Sequence, residues 1–307
     1  MRSFLNEKLR KLLFNLPNFR DYYPKDKNNK MKIKILLMSV VLLANNFYAQ
    51  HFNYISRYEN LDKYSVIDSA HLKCSYKLTY LKDSLEPNEK STDLQILLIG
   101  KNISKYYSQY ALDYNHFVVD YLKKGHDTYP HIKEKGTWHY EVFKNYPQGK
   151  ETVTDIASML NGNFVYEETL PVFDWEIGDE KQTILSYSCQ KATISFRGRD
   201  FIAWFTSDIP VPNGPWKFGG LPGLILKISD SKNQFVYECQ GLERLKNKEP
   251  IKYYKVEYTK LSRKDLHNSY KRFHDDLGAY MKNFGVEVVS RSSRSVITIP
   301  YNPIELE

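Results

Sequence analysis

The chain has 307 residues, with 44 Lys and Arg against 36 Asp and Glu, 14 Gly, 13 Pro and 3 Cys, which excludes a collagen-like repeat, a disulfide miniprotein and a disordered polar tail. The net charge of +8 is concentrated at the front: residues 1–34 hold ten basic and three acidic side chains, so everything from Gln50 onward balances to +1. Nucleic acid is therefore not expected as a partner, because its binding relies on Lys and Arg neutralising phosphates.

Residues 1–30 read as an over-extended gene start or a disordered basic leader. Leu5, Leu9, Leu12, Leu13 and Leu16 with Lys8, Arg10 and Lys11 offer the competing reading of a basic amphipathic helix on a membrane. Met31-Lys32-Ile33-Lys34, the apolar run 35–44 and Ala49 before Gln50 form the three zones of a signal peptide over 31–49. Ten helical residues rise about 15 Å against the roughly 30 Å of a bilayer's hydrocarbon core. The run cannot span, so no transmembrane anchor is expected in the mature chain, and the address is the periplasm, the outer cell envelope or secretion. Residues 50–307 contain no linker, repeat or low-complexity block and read as one domain.

Strand signals open this body at 71–81 and 94–99. Between 104 and 124, Tyr107, Tyr110, Ala111, Tyr114, Val118 and Tyr121 recur at a spacing that predicts a helix, ended by Gly125. Beyond residue 137 the texture is short alternating segments: strands at 137–144, 164–170 and 174–177, with a turn at 161–163. Residues 181–197 read as one bent strand or as two meeting near Cys189. Arg197-Gly198-Arg199 reverses the chain into 200–206, and 224–230 pairs with 234–242 as a hairpin. A last helix over 263–282 carries Leu266, Tyr270, Phe273, Leu277 and Tyr280 on one side. The fold class is mainly β (α+β): a single curved antiparallel sheet, with a half-open barrel as one shape it can take, and two substantial helices.

Residues 209–223 hold four Pro and four Gly in fifteen positions, a density that marks backbone held in special shapes. Leu221-Pro222-Gly223-Leu224 fits a type II turn, with Gly223 supplying the positive φ. Read together, Gly220-Leu221-Pro222-Gly223-Leu224-Ile225, Cys189-Gln190-Lys191-Ala192, Phe196-Arg197-Gly198-Arg199, Ala203-Trp204-Phe205-Thr206 and Gly214-Pro215-Trp216-Lys217-Phe218 closely resemble the GLPGLI family, exported proteins of Bacteroidota-type bacteria. The resemblance is dense over 184–230 and implies a signal-bearing envelope protein with no assigned chemistry.

Candidate binding residues follow from chemistry. Arg197 and Arg199 can clamp an anion bidentately, or can tie a hairpin tip to an acid such as Glu176 or Asp200. Trp204, Trp216 and Phe218 can wall an apolar cleft or fill a core. Glu167 and Glu168, as neighbours on a strand, point to opposite faces and cannot share a substrate. His126, His131 and His139 match no compact zinc spacing, so neither metal nor other cofactor is expected. Three Cys in an oxidising compartment permit one disulfide, with Cys189 and Cys239 in strand-like runs as one pairing and Cys74 an equal candidate; three free thiols are the other outcome.

No GxSxG, HExxH or phosphate-loop pattern occurs. The leading functional expectation is a noncatalytic binding or chaperone-like protein for an apolar ligand or an envelope protein segment. An accessory subunit of an outer-membrane transport or secretion system, and a hydrolase with acids or histidines converging in a pocket, are the alternatives.

Overall fold

The computed structural model describes residues 61–126, 139–157, 160, 162–283 and 298–307, all within the compact unit Asn53–Glu307. The leader readings at 1–30 and 31–49, and His131, lie outside the described residues.

Twelve strands form one sheet: β1 (Tyr64–Leu81), β2 (Lys90–Ile99), β3 (Ser104–Ser108), β4 (Tyr140–Lys144), β5 (Lys150–Ala157), β6 (Gly162–Thr169), β7 (Glu176–Ile184), β8 (Tyr187–Phe196), β9 (Arg199–Thr206), β10 (Leu224–Asp230), β11 (Phe235–Tyr254) and β12 (Thr259–Lys260). Their order is β12-β6-β5-β4-β3-β2-β1-β11-β10-β9-β8-β7. The β12–β6 pair is parallel and the others are antiparallel, so the sheet is mixed rather than purely antiparallel, and it does not close into a barrel. Among the described residues three helices accompany it: α1 (Gln109–Lys123), α2 (Arg263–Asp275) and the short α3 (Leu277–Lys282).

Alternation sets which face is inside. On β1, Leu72, Cys74, Tyr76, Leu78 and Tyr80 all point into the main core, which α2 joins through Leu266 and Phe273. The opposite face of β2 and β3, with Ile96, Leu98 and Tyr107, is covered by Leu112 of α1. The central strands are thus buried on both sides, which explains the nearly unbroken apolar run of β2.

The sheet curls strongly. Strands β6 and β8 are each second from an end of the sheet order, yet Glu168 on β6 meets Arg197, just past β8, at 2.7 Å. Residues 301–307 run along this seam. Arg199 donates to Asn302 Oδ1 (2.7 Å) and the Pro303 carbonyl (2.6 Å), the Leu306 amide donates to the Arg197 carbonyl (2.9 Å), and Asn302 Nδ2 donates to the Leu81 carbonyl (2.9 Å).

Several expectations need correction. Residues 104–108 form β3, hydrogen-bonded to both β2 and β4, and the helix begins only after Ser108, whose Oγ accepts from the Ala111 amide. Gly125 does end α1, at φ +86°. The turn between β7 and β8 falls at Leu185 and Ser186, both at positive φ, rather than near Cys189. The last helix is two, because Asp276 leaves helical geometry and its side chain caps α3 by accepting from the Ala279 amide. The Cys189–Cys239 disulfide is not formed: Cys74, Cys189 and Cys239 are buried free thiols. The Cys189 and Cys239 Sγ atoms instead lie against the carbonyls of Tyr187 and Gly241, each two residues away.

Candidate functional site

The glycine-proline segment 207–223 joins β9 to β10 and crosses the inside of the curled sheet to its far half. Three anchors hold it. Lys144, at the end of β4, donates to Asn213 Oδ1 (2.9 Å), the Gly214 carbonyl (2.8 Å) and the Phe218 carbonyl (2.6 Å). Trp175 Nε1 donates to the Gly219 carbonyl at 2.8 Å. At the segment's end, the Tyr76 hydroxyl donates to the Ile225 carbonyl at 2.7 Å.

Its turn chemistry differs from expectation. The positive φ falls at Gly220 (+81°), not at Gly223, and the Leu224 amide donates to Ile209 rather than to Leu221, so there is no type II turn at 221–224. Gly223 is required for a different reason: a Cβ there would lie 2.0 Å from the Thr206 carbonyl oxygen. The motif is architectural, with Leu221, Leu224 and Ile225 fully buried.

Lys217, at the inner tip of this segment, is fully buried and organises a charge cluster. Its Nζ lies 2.6 Å from Glu168 Oε1, 2.9 Å from Glu305 Oε1, 3.0 Å from the Tyr166 hydroxyl and 3.6 Å from Glu151 Oε1. Glu305 also binds Arg197 (2.6 Å) and Arg263 (3.2 Å), and accepts from Trp216 Nε1 (3.3 Å). Burial works upward on Glu168 and Glu305, but Lys217 and Arg197 prevail and hold both below the usual carboxylate range. Glu151 is the exception. Neither of its oxygens accepts a hydrogen bond among the described residues, and burial pushes it up to about 7 despite Lys217 and Lys144.

These contacts settle the arginine readings. Arg197 and Arg199 are not an anion clamp open to a ligand: Arg197 is spent on Glu168 and Glu305, and Arg199 on Asp230, Gln234, Asn302 and Pro303. The expected solvated hairpin tip is not found either: both arginine side chains are largely buried, and the acids they meet are not Glu176 or Asp200. Glu167 and Glu168 do face opposite ways, the first toward Lys150 and Lys260 and the second toward Lys217. Phe218 belongs to a ring cluster with Phe201 (4.7 Å), Phe196 (5.8 Å) and Phe173 (6.1 Å), and Trp204 packs half-buried against the core. Both fill core rather than wall a cleft.

Trp216 alone among the candidates reaches a cavity. This space, of about 590 Å³, lies between α2, the 298–307 segment, the start of β4 and the loop joining β1 to β2. Its aromatic lining includes Tyr80, Tyr140, Tyr166, Trp216, Tyr270 and Tyr301, with Leu266 and Ile304 beside them. Tyr140 meets Trp216 edge-on at 5.5 Å, and the Tyr270 hydroxyl is fixed by donating to Asp155 Oδ2 at 2.6 Å.

Three histidines also line the space. Burial pushes His139 down to about 4; burial first, then Arg263, lowers His267; burial lowers His274. All three are neutral at pH 7. His274 Nδ1 donates to the Ile299 carbonyl (3.3 Å), its ring stacks on Tyr301 at 4.6 Å, and His267 Nδ1 lies 3.5 Å from the Tyr301 hydroxyl. Among the described residues no group of His, Cys, Asp and Glu is arranged to hold a metal. His126 stacks on Tyr121 at the end of α1.

Sequence reasoning found Trp216 and put Tyr270 on the apolar side of the last helix. It gave no role to Tyr140, Tyr301, His139, His267 or His274; His267, Tyr270 and His274 fall at i, i+3 and i+7 on one face of α2, whereas His139 with Tyr140 and Tyr301 come from other elements that share no spacing with it.

A family model described as "Protein of unknown function (Porph_ging)" matches residues 195–227, the stretch from the β8–β9 turn through the glycine-proline segment. No curated protein matches the chain. Two structures of PNGF-II, in the C2 and P21 space groups, are similar to it at TM-scores of 0.46, with 14% and 13% identity, covering 66% and 67% of this chain. The chain spans about a third of the length of those structures (33% and 34%). A superposition at that level carries no functional argument.

Proposed function

We propose that the protein is an exported, noncatalytic binding protein of the cell envelope that holds a small apolar ligand in the cavity beside Trp216. The observation that carries this reading is the cavity itself. Its volume of about 590 Å³ and its wall of Tyr, Trp, Leu and Ile side chains fall in the range and character of small-molecule sites. Of the charged side chains that line it, Arg263 and Glu305 are spent on each other and on Glu168, Lys217 and Arg197, and the others, Lys82, Asp83, Glu86 and Glu89, belong to the loop between β1 and β2. Export is supported by the three zones of 31–49, and membership of the GLPGLI family by the motif string over 184–230.

The test is to purify the protein from its own cells and weigh it under native and then denaturing conditions. A small mass bound in the first and released in the second is expected. A bare protein that also fails to take up any member of a panel of phenyl-bearing compounds would overturn the reading. Cell fractionation checks the address: a chain beginning near Gln50 in the envelope fraction is expected, and an intact leader in the cytosol counts against export.

A hydrolase is the second reading, favoured by the convergence of His139, His267 and His274. Against it, the hydrogen bonds of His267 and His274 go to the Tyr301 hydroxyl and a backbone carbonyl, and no described imidazole is oriented by a carboxylate toward a nucleophile.

A further inference from the structure

We infer that the ligand of this cavity is an organic cation, an ammonium attached to an apolar or aromatic body; the inference rests on the binding-protein reading and names its ligand class. Two independent features lead there. The first is the wall: Tyr140, Trp216, Tyr270 and Tyr301 all line the cavity, and aromatic rings attract cations through their quadrupole. The cation already behind this wall, Lys217, lies 5.5 Å from the Trp216 ring and 5.0 Å from the Tyr166 ring, and its charge is met by Glu168 and Glu305.

The second feature is the mouth. The loop between β1 and β2 makes two successive turns, with the Glu86 amide donating to the Asp83 carbonyl (3.3 Å) and the Glu89 amide to the Glu86 carbonyl (3.0 Å). Asp83, Glu86 and Glu89 all line the cavity, with Glu86 and Glu89 exposed and Asp83 Oδ1 accepting from the Leu85 amide at 2.8 Å. No ion pair joins any of them to a Lys or Arg among the described residues, and Lys82 is the one basic side chain beside them at this rim. Three carboxylates over one ammonium, above an aromatic wall and neutral imidazoles, favour a positive headgroup. The same field works against a carboxylate ligand.

The test uses three probes of one shape: 4-phenylbutylammonium, 4-phenylbutanol and 4-phenylbutanoate, titrated calorimetrically into the full mature protein at low salt. The ammonium is expected to bind at least tenfold more tightly than the alcohol, with the carboxylate weakest, and the gap should narrow as salt screens the rim. Glu86→Gln with Glu89→Gln, both at exposed turn positions, should bring the ammonium down to the alcohol's affinity and leave the alcohol unchanged. Equal binding of ammonium and alcohol overturns the cation and leaves the binding-protein reading standing. Tightest binding of the carboxylate does the same, and binding of none of the three removes both.

Discussion

Glu168 and Arg197 stand 2.7 Å apart although eight strands separate β6 from β8 in the order of the sheet. This contact, with Glu305 on the other side of the same guanidinium, joins the two halves of an open sheet without a ladder of backbone hydrogen bonds. Removing one partner leaves the other charged and half-enclosed. Arg197→Met is expected to destabilise by about 3 kcal/mol, in line with breaking one side of a buried ion pair. The Arg197→Met/Glu168→Gln double variant should recover part of that loss. Urea unfolding of Arg197→Met, Glu168→Gln and the double variant checks it, and strictly additive losses would mean the two residues do not act as a pair.

Glu151 gives a pH signature of its own. Its folded-state value is raised from 4.5 to about 7, so the folded chain holds more protons than the unfolded one across that window, and stability falls as pH rises through it. The full cost is present above pH 7. Glu168 and Glu305, held low, work the opposite way: their stabilisation is present above the ordinary carboxylate range and is lost as the pH falls below it. Glu151→Gln should therefore flatten the decline between pH 5 and 7 and add about 2 kcal/mol at neutral pH. Urea midpoints at pH 5 and 7.5 decide the matter, and an unchanged slope in the variant would remove Glu151 as its source.

Gly223 and Gly241 form a matched pair of tests. A Cβ at Gly223 meets the Thr206 carbonyl oxygen at 2.0 Å, whereas one at Gly241 has nothing within 4 Å. Gly223→Ala should cost about 3 kcal/mol or prevent folding, as forced overpacking against backbone does, while Gly241→Ala should be close to neutral. Thermal melts of both compare them directly.

Lys144 offers three donors to three oxygens of the 213–219 stretch. Burial lowers its pKa to about 7, so the folded chain gives up this proton before the unfolded chain does, and stability gains as pH rises from about 7 toward 10.5. Lys144→Met removes the burial penalty but strands two carbonyls, at about 1–3 kcal/mol for each buried group left unsatisfied. The net expectation is a destabilised variant in which amide exchange speeds up at Gly220 and Ile225, the ladder positions flanking the anchored turn. Protection equal to the parent at those amides would show that the segment does not depend on the lysine.

The strands were most legible where one face is wet. The period of β1 stands out because Leu72, Cys74, Tyr76 and Leu78 alternate with more exposed Lys73, Ser75 and Lys77. β5 was not legible, because its inward residues include Glu151 and Thr152–Asp155 is rich in polar groups that the fold buries against partners supplied from far away in sequence. In sequence β3 looks helical, because Tyr107 continues the spacing of α1, and only pairing with β2 and β4 reveals the strand. The density of Gly and Pro marks the segment at 209–223, but which glycine carries the positive φ depends on Ile209 and Pro212 capturing amides across the segment. The seam of 301–307 has no periodicity to read, and so neither its hold on Arg197, Arg199 and Lys217 nor its contribution to the cavity could be anticipated.

The three free cysteines give the molecule an internal gauge. Burial pushes Cys189 and Cys239 to about 11 and Cys74 higher still, and the thiolate is the form that reacts. An alkylating reagent added at neutral pH should therefore find no target until the sheet itself opens. Labelling would then report how often the whole body comes apart, with the seam variants quickening that clock and rim substitutions such as Glu86→Gln leaving it untouched.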